Sequence, residues 1–184
     1  MDDSPKRLFE KLRRGIPEVC SQFVRDEYTG VYRWLYRLTG RTDEAADLTQ
    51  ESFAAFWESL GREFPRVAPR TWLYAIARNQ WRKHCRCRRP EQAEAIEEIE
   101  APAPSAWMPA ECEEFAAAVA SALAKLSAEL REAFSLRLWQ EFDYAQIGTV
   151  QGISPSLARW RCFRARQLIR ERLAAWQEAE EKQP

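Results

Sequence analysis

The sequence predicts an all-α fold, on three observations. Glycine accounts for 6 of the 184 residues, whereas sheet-rich folds with many tight turns use glycine often. The straight-chain helix formers Ala, Leu, Glu, Arg and Gln are abundant. No segment alternates apolar and polar residues over the length of a strand. Apolar residues make up 46% and charged residues 30% of the chain, which excludes a disordered protein and fits a globular one.

The net charge is zero, but the charges are unevenly distributed. Residues 1–90 carry 18 basic and 12 acidic groups, and residues 121–184 carry 10 and 8. Residues 91–120 carry 8 acidic groups, no basic group and three prolines, which is typical of a linker. We therefore predict two small helical domains joined by an acidic, proline-containing linker, with a short tail. The predicted boundaries are 1–92, 93–114, 115–178 and 179–184.

Two short helices are predicted near the start of the first domain. Proline suits a first helical turn, so a helix is expected from Pro17 to about residue 27. Thr29-Gly30 is expected to break this helix, because glycine is a poor helix former. The next helix, over 31–39, ends at Gly40, since glycine favours the backbone conformation of helix ends.

Two longer helices complete the first domain. The third begins at Thr42-Asp43-Glu44, where a cap residue precedes two acidic residues. Acidic residues are stabilising at the helix N-terminus, the positive end of the helix dipole. A break follows around Pro65, and the fourth helix spans about 70–88. In both helices apolar residues recur at helical spacing and are predicted to face inward. They are Ala46, Thr49, Phe53, Phe56, Trp57 and Leu60 in the third, and Trp72, Leu73, Ile76 and Ala77 in the fourth.

The second domain contains a sharper pattern. Helices are predicted over 115–126 and, after Ser127 as cap, up to about 139. A short helix over 143–150 is followed by the glycine-containing turn 151–153, and Ser154-Pro155 opens a long helix. A short helix, a turn with glycine and a longer helix are the helix-turn-helix arrangement.

Each domain has one cluster of basic residues. On a neutral protein two such clusters suggest two contacts with a polyanion, although two solvated helix faces are an alternative. We expect both clusters to lie on open surfaces. The first consists of Arg78, Arg82, Lys83, Arg86, Arg88 and Arg89, and the second of Arg159, Arg161, Arg164, Arg166, Arg170 and Arg172.

The last helix has an apolar side and a basic side. An arginine-rich outer face suits the major groove of DNA, where arginine contacts phosphates or guanine. The outer stripe is formed by Arg159, Phe163, Arg166 and Arg170, with Trp160 and Arg164 beside it. The inner stripe is formed by Ala158, Cys162, Ala165, Ile169, Leu173 and Trp176.

Three runs of residues together resemble the extracytoplasmic-function (group IV) sigma factors of bacterial RNA polymerase. The first comprises YRWLYRLTG from Tyr32 and DEAADLTQESF from Asp43. The second is TWLYAIARN from Thr71. The third runs from Leu126-Ser127 through YAQIG, from Tyr144, to RWRCFRAR, from Arg159. All three lie in the family's order with a linker between them, which makes the match specific.

The resemblance implies roles for three groups of residues. In this family an Asp-Leu-Thr-Gln-Glu helix binds the clamp helices of the polymerase β′ subunit, which carries over to Asp47, Gln50 and Glu51. The next segment recognises and opens the promoter −10 element, which implies the loop 62–70 and Trp72, Asn79, Arg82 and Lys83. The helix-turn-helix binds the −35 element through Arg159, Trp160, Phe163 and Arg164, and another of its surfaces contacts the β flap.

Two of these residues have alternative interpretations. Trp72 could stack on unpaired DNA, but its apolar neighbours favour core packing. Trp160 stands beside the outer stripe, so contact with DNA or another protein and packing within this protein both stay open.

No arrangement of side chains indicates catalysis. The sequence has no nucleophile beside a base, no acid–base carboxylate pair and no phosphate loop. His84, Cys85 and Cys87 supply at most three metal ligands, within a cationic run that repels a metal ion, and a fourth would have to come from the distant Cys112. We therefore predict a protein that is not an enzyme, with no catalytic residues, metal or cofactor.

The resulting prediction is a sigma factor that binds core RNA polymerase and directs initiation at promoter DNA, for a stress or environmental response, under an anti-sigma factor. A stand-alone helix-turn-helix regulator is the main alternative, and a helical adaptor for acidic proteins is another. Residues 1–5 lead into a charged stretch without a signal core. The five scattered cysteines fit a reducing compartment. We therefore expect a cytoplasmic protein without membrane insertion.

Overall fold

The structure is a computed structural model that describes residues 5–62, 67–87 and 110–180, with the backbone alone at 110–116 and 175–180. Within these ranges every regular element is an α-helix, which confirms the predicted all-α class. The helices are α1 Pro5–Arg13, α2 Pro17–Thr39, α3 Thr42–Leu60, α4 Pro69–Cys87, α5 Ala110–Ala124, α6 Ala128–Trp139, α7 Tyr144–Gln151 and α8 Pro155–Glu180.

Helix α1 was not predicted from the sequence. Its nine residues are mostly polar, but Phe9 and Leu12 lie three residues apart on one face and are both 2% exposed. They join the main hydrophobic cluster. The only apolar pattern in this helix is one buried pair, and two residues are too few to establish a helical period from the sequence.

The predicted break at Thr29-Gly30 is wrong, because α2 continues through both residues to Thr39. Gly30 serves close packing instead. A Cβ atom there would lie 2.8 Å from Tyr74 Oη and 3.1 Å from Gln140 Oε1. Gln140 Nε2 also donates a hydrogen bond to the Gly30 carbonyl at 3.3 Å. Glycine at position 30 lowers helix propensity, but it leaves room for the side chains of Tyr74 and Gln140 to reach the helix backbone.

Helices α2, α3 and α4 pack around large aromatic side chains. Trp34 and Tyr74 are fully buried, with ring centroids 5.4 Å apart, and Phe56 stacks on Phe23 at 5.1 Å. Helix α2 ends at Gly40, whose φ of 74° is left-handed and whose N–H bonds the Tyr36 carbonyl. That ending agrees with the sequence prediction.

The two predicted domains pack against each other. Helix α6 contacts α2, and α7 contacts α4. Trp34 Nε1 donates to Ser135 Oγ at 2.9 Å, and the Tyr74 and Phe142 rings meet at 5.0 Å. The main hydrophobic cluster contains residues from both halves of the chain. The arrangement is therefore compact, while the boundaries 1–92 and 115–178 stay a prediction, since much of 93–114 lies outside the described residues.

A smaller apolar cluster joins α5, α6 and α8. Its buried members are Ala122, Leu126, Ala165 and Ile169. Among the residues that the structure describes, no helix combines the length and apolar character needed to cross a bilayer.

Candidate nucleic-acid interface

The helix-turn-helix is fixed by local hydrogen bonds. Asp143 caps α7, because its Oδ1 accepts from the Gln146 N–H at 2.7 Å. Gln146 Oε1 in turn accepts from the Asp143 N–H at 2.9 Å, which completes a capping box. The helix ends at Gly152, whose φ of 66° is left-handed and favours glycine.

A second glycine brings the turn close to α7. A Cβ atom at Gly148 would lie 2.8 Å from the Ile153 carbonyl oxygen and 3.4 Å from Pro155 N. The start of α8 is then capped by Ser154, whose Oγ accepts from the Leu157 N–H at 3.2 Å. The crossing of α7 and α8 is therefore set by backbone contact rather than by side chains.

Helix α8 buries the predicted inner stripe. Ala158, Cys162, Ala165 and Ile169 are all buried, and Leu173 is partly buried. Trp176 lies outside the described side chains. Cys162 Sγ donates to the Ala133 carbonyl at 3.4 Å, and burial raises the pKa of this thiol to about 11. Cys162 is thus a neutral core residue rather than a reactive one.

The outer face of α8 is open to solvent. Trp160 is 56% exposed and Phe163 is 60% exposed. Arg159 is also exposed, and Arg164 is half-buried and contacts Gln167 Oε1 at 3.5 Å. The residues predicted to bind the −35 element therefore lie together at the N-terminal part of one helix, and Trp160 does not pack into the core.

Two arginines of the second cluster have internal partners. Arg161 Nη1 donates to Gln151 Oε1 at 3.0 Å. Arg172 donates to the Ala122 carbonyl at 2.9 Å and the Lys125 carbonyl at 3.1 Å. The other members are Arg159, Arg164, Arg166 and Arg170.

The first basic cluster has a different environment, which corrects the expectation of an open surface. Arg78 is 6% exposed, and its Nε lies 2.6 Å from Oε2 of Glu132, which is fully buried. Arg82 Nη2 lies 3.3 Å from Glu129 Oε1. Gln151 Nε2 donates to the same Glu132 Oε2 at 2.9 Å. Two arginines of α4 are thus paired with carboxylates of α6. Arg88 and Arg89 lie outside the described residues.

The other residues predicted for the −10 element are placed unequally. Asn79 and Lys83 are exposed on α4. Trp72 is half-buried, and its Nε1 donates to Ser59 Oγ at 3.0 Å while its ring packs on the core. In the loop 62–70, residues 63–66 lie outside the described part, and Arg70 bonds Glu27 at 3.1 Å.

The predicted polymerase-binding residues share one face of α3. Asp47, Gln50 and Glu51 are three and four residues apart and all exposed, whereas Leu48 and Phe53 are buried. Near the start of the helix, a hydrogen bond from the Thr42 hydroxyl lowers the pKa of Asp43, which holds that side chain ionised. This face is accordingly acidic and polar.

Gln140 and Glu132 are the structural residues that sequence reasoning missed. Gln140 Oε1 accepts from Tyr74 Oη at 2.7 Å and from Arg70 Nη2 at 3.3 Å. Glu132 joins Arg78, 54 residues away in sequence. Both residues lie within the third run, but their partners are distant along the chain, so nothing in the sequence indicated either pairing.

The region around His84 does not form a metal site within the described residues. His84 Nε2 lies 3.2 Å from Glu44 Oε2. Cys85 and Cys87 are exposed, and Cys112 lies outside the described side chains. Among the residues that the structure describes, no group of three or more His, Cys, Asp or Glu side chains could hold a metal ion.

Two family models match separate parts of the chain. The family model for sigma-70 region 2 matches residues 23–91, and the model for sigma-70 region 4 matches residues 116–169. The first match contains α3 and α4, and the second contains the helix-turn-helix.

Three curated relatives carry sigma-factor names, and the alignment spans most of the first two. The chain is 30% identical to RNA polymerase sigma-H factor of Pseudomonas aeruginosa, over 91% of this chain and 92% of the relative. It is 30% identical to RNA polymerase sigma factor CarQ of Myxococcus xanthus, over 89% and 94%. It is 31% identical to ECF RNA polymerase sigma factor SigE of Mycolicibacterium smegmatis, over 83% of this chain and 61% of the relative.

Two solved structures have the same fold. CnrH in complex with the cytosolic domain of CnrY aligns with a TM-score of 0.71 at 23% identity, over 94% of this chain and 99% of that chain. RpoE in complex with the anti-sigma factor NepR, from Bartonella quintana, aligns with a TM-score of 0.70 at 24% identity, over 84% and 96%.

A stand-alone regulator explains the helix-turn-helix but leaves the first half of the chain unexplained. Both halves match sigma-70 regions, and full-length relatives at 30% identity are named sigma factors. The chain therefore belongs to the sigma-70 family, as an RNA polymerase sigma factor of the extracytoplasmic-function group.

Proposed function

We propose that this sigma factor joins core RNA polymerase through α3, opens the −10 element with α4 and recognises the −35 element with α8. The observation that carries the proposal is the helix-turn-helix, whose α8 exposes Arg159, Trp160 and Phe163 together to solvent. The proposed domains are residues 1–92 and 115–178. The proposed role is promoter choice for a stress or environmental response in the cytoplasm.

The polymerase contact is assigned to the acidic face of α3. Asp47, Gln50 and Glu51 are exposed and adjacent on the helix surface. An acidic and polar face complements a basic protein surface and adds specificity to the contact. The proposed partner is the pair of clamp helices of the β′ subunit, and a surface of the helix-turn-helix would contact the β flap.

The −10 contact is assigned to α4 and the preceding loop. Asn79 and Lys83 are accessible, whereas Arg82 is held by Glu129 at 3.3 Å. A melted strand needs cationic side chains along its backbone and stacking surfaces for its bases. Full engagement of α4 therefore requires that α6 withdraw its carboxylates. Trp72 would contribute a stacking surface only if its hydrogen bond to Ser59 were released.

The protein is proposed to act without a chemical step of its own. Strand opening would be driven by binding of the extruded bases, and no cofactor is assigned. An anti-sigma factor is proposed as the inhibitor, which would cover the polymerase-binding faces. The similarity in fold to RpoE, solved in complex with the anti-sigma factor NepR, supports this part.

Run-off transcription with purified core polymerase on genomic fragments tests the proposal. The wild-type protein should join the core and direct initiation at a defined set of promoters. The double variant Arg159→Ala with Arg164→Ala should bind the core normally but discriminate the −35 element less well, by about 1–3 kcal/mol for each base that these arginines recognise.

The matched control is Arg170→Ala, an exposed arginine further along the same helix. It should weaken binding to all promoters modestly and leave their ranking unchanged, because a phosphate contact carries no sequence information. Unchanged promoter choice in the double variant would refute the assignment of Arg159 and Arg164. Failure of the wild-type protein to join the core would refute the proposed function.

A further inference from the structure

The outermost line of α8 is aromatic rather than basic. Successive helix residues are rotated by about 100°, so the positions opposite the buried Ala158 and Cys162 stripe form one line along the helix. This line, here called the crest, consists of Ser156, Trp160, Phe163 and Gln167. Its two aromatic side chains are 56% and 60% exposed. They are the most exposed of the large hydrophobic residues that the structure describes.

Arginines lie on both sides of the crest. Arg159, Arg166 and Arg170 follow one flank, and Arg164 lies on the other. The crest itself carries no charge. When a helix enters a groove about 12 Å wide, its outermost line meets the base edges and its flanks meet the phosphates of the two strands. The arrangement thus places aromatic rings at the bases, with arginines on both sides that can reach base edges or phosphates.

Aromatic rings at base edges can distinguish only one feature well. In the major groove the bases present hydrogen-bonding groups, and thymine alone also presents a methyl group. Phenylalanine has no hydrogen-bonding group, and the tryptophan indole can only donate. We propose that Phe163 and Trp160 recognise thymine 5-methyl groups in the −35 duplex, next to the bases that Arg159 and Arg164 are proposed to recognise, while Arg166 and Arg170 position the helix on the phosphates. This inference rests on the proposed function.

The flanking charge favours DNA over a protein as the occupant of the crest. Aromatic residues and arginine are both enriched at protein interfaces, so the distinguishing feature is the position of the arginines: Arg159, Arg166 and Arg170 lie on one side of the crest and Arg164 on the other. A polyanion that brings phosphates on both sides of an apolar edge satisfies the arginines and the aromatic rings together.

The test uses holoenzyme reconstituted from core polymerase and the full-length chain. Duplexes randomised in the −35 region are selected by holoenzyme binding, and each selected thymine is then replaced by uracil, which lacks only the methyl group. We expect thymine to be enriched, and each contacted methyl to contribute about fourfold in affinity, the factor that corresponds to the ~0.8 kcal/mol of one buried CH₂ group.

Two variants separate methyl recognition from general loss of binding. Phe163→Ala together with Trp160→Ala should bind thymine and uracil duplexes equally, and circular dichroism should show intact helices because both side chains are exposed. Gln167→Ala, on the crest but one turn beyond Phe163, should keep the wild-type preference for thymine.

Three outcomes would overturn the inference. Equal affinity of wild-type holoenzyme for thymine and uracil duplexes would leave the crest as a surface for a protein partner. A preference for thymine that persists in the double aromatic variant would assign methyl recognition to other residues. If the chain joined the core but the resulting holoenzyme selected no −35 sequence, both this inference and the −35 assignment on which it rests would be overturned.

Discussion

The two basic clusters of this protein differ in what they face. On α4, Arg78 is buried against Glu132 and Arg82 lies beside Glu129, so carboxylates of α6 already neutralise them. On α8, Arg159 and Arg166 are exposed to solvent. One cluster therefore has an anionic partner inside the molecule, and the other is ready for an external one.

This difference shows that a run of arginines does not by itself indicate an accessible surface. Both clusters have six basic residues within a short stretch of sequence, which by itself suggests equal roles. A buried arginine paired with a carboxylate holds two helices in one arrangement, whereas an exposed arginine is available to phosphates. In the α4 cluster Lys83 and Arg86 are exposed, but Arg78 and Arg82 must exchange partners before they can bind DNA.

The largest effect is expected at the buried pair. Arg78→Ala leaves the Glu132 carboxylate buried without its closest cation, at a cost of about 3–5 kcal/mol. On α8, Arg159→Ala should change stability by less than about 0.5 kcal/mol, since this side chain is exposed. Urea unfolding monitored by tryptophan fluorescence measures both.

A double replacement distinguishes the ion pair from simple loss of packing. Arg78→Met with Glu132→Met removes both charges but keeps the volume, so most of the lost stability should return. If Arg78→Ala proved as mild as Arg159→Ala, the contrast between the two clusters would be refuted.

A smaller effect is expected where the two halves of the chain meet at Gly30. Gly30→Ala improves helix propensity by about 1 kcal/mol, but the new Cβ would lie 2.8 Å from Tyr74 Oη. Tyr74 is fully buried and its ring cannot move away, so we expect a net loss of about 1–3 kcal/mol.

Gly61→Ala is the matched control for this substitution. Its Cβ would meet only the Glu58 carbonyl oxygen, at an ordinary 3.8 Å. Thermal unfolding of both variants makes the comparison, and equal melting temperatures would show that the approach of Tyr74 to α2 does not constrain position 30.

The smallest expected effect is a pH dependence of stability caused by Glu27, which pairs with Arg70 of α4. Burial raises the pKa of Glu27, and Arg70, 3.1 Å away, only partly opposes this change. A carboxyl whose pKa is higher in the folded state stabilises the protein at pH values below its unfolded-state pKa of 4.5. That stabilisation is lost as the pH rises through the folded-state pKa. The stability of Glu27→Gln relative to wild type should therefore increase with pH across this window.

Urea midpoints at constant ionic strength between about pH 4 and pH 7 measure this change. Glu18→Gln, at an exposed position on the same helix, is the matched control. A difference between Glu27→Gln and wild type that stays constant with pH would argue against desolvation as the dominant influence on Glu27.

The sequence predicted the elements with strong local signals. The starts of α3 and α8 and both ends of α7 follow from cap residues, proline and glycine, and the structure places them within one or two residues of the prediction. The buried stripe of α8 likewise followed from its period. Local rules suffice where a helix is defined by its own residues.

The packing of the two halves could not be predicted in this way. The pairs Arg78–Glu132 and Trp34–Ser135 join residues 54 and 101 positions apart. Single-sequence patterns carry no information about such partners. For the same reason the sequence predicts a break at Gly30, because the side chain of Gln140 that explains this glycine lies 110 residues away.

Gly148 has a consequence for how this protein could diversify. Since any side chain at that position would collide with the backbone of the turn, the angle at which α8 leaves α7 is inherited unchanged by variants that still fold. The exposed positions of α8 are not under this steric constraint. Preferences for new DNA sequences can therefore arise by substituting a few surface residues on α8 while the orientation of the helix stays constant.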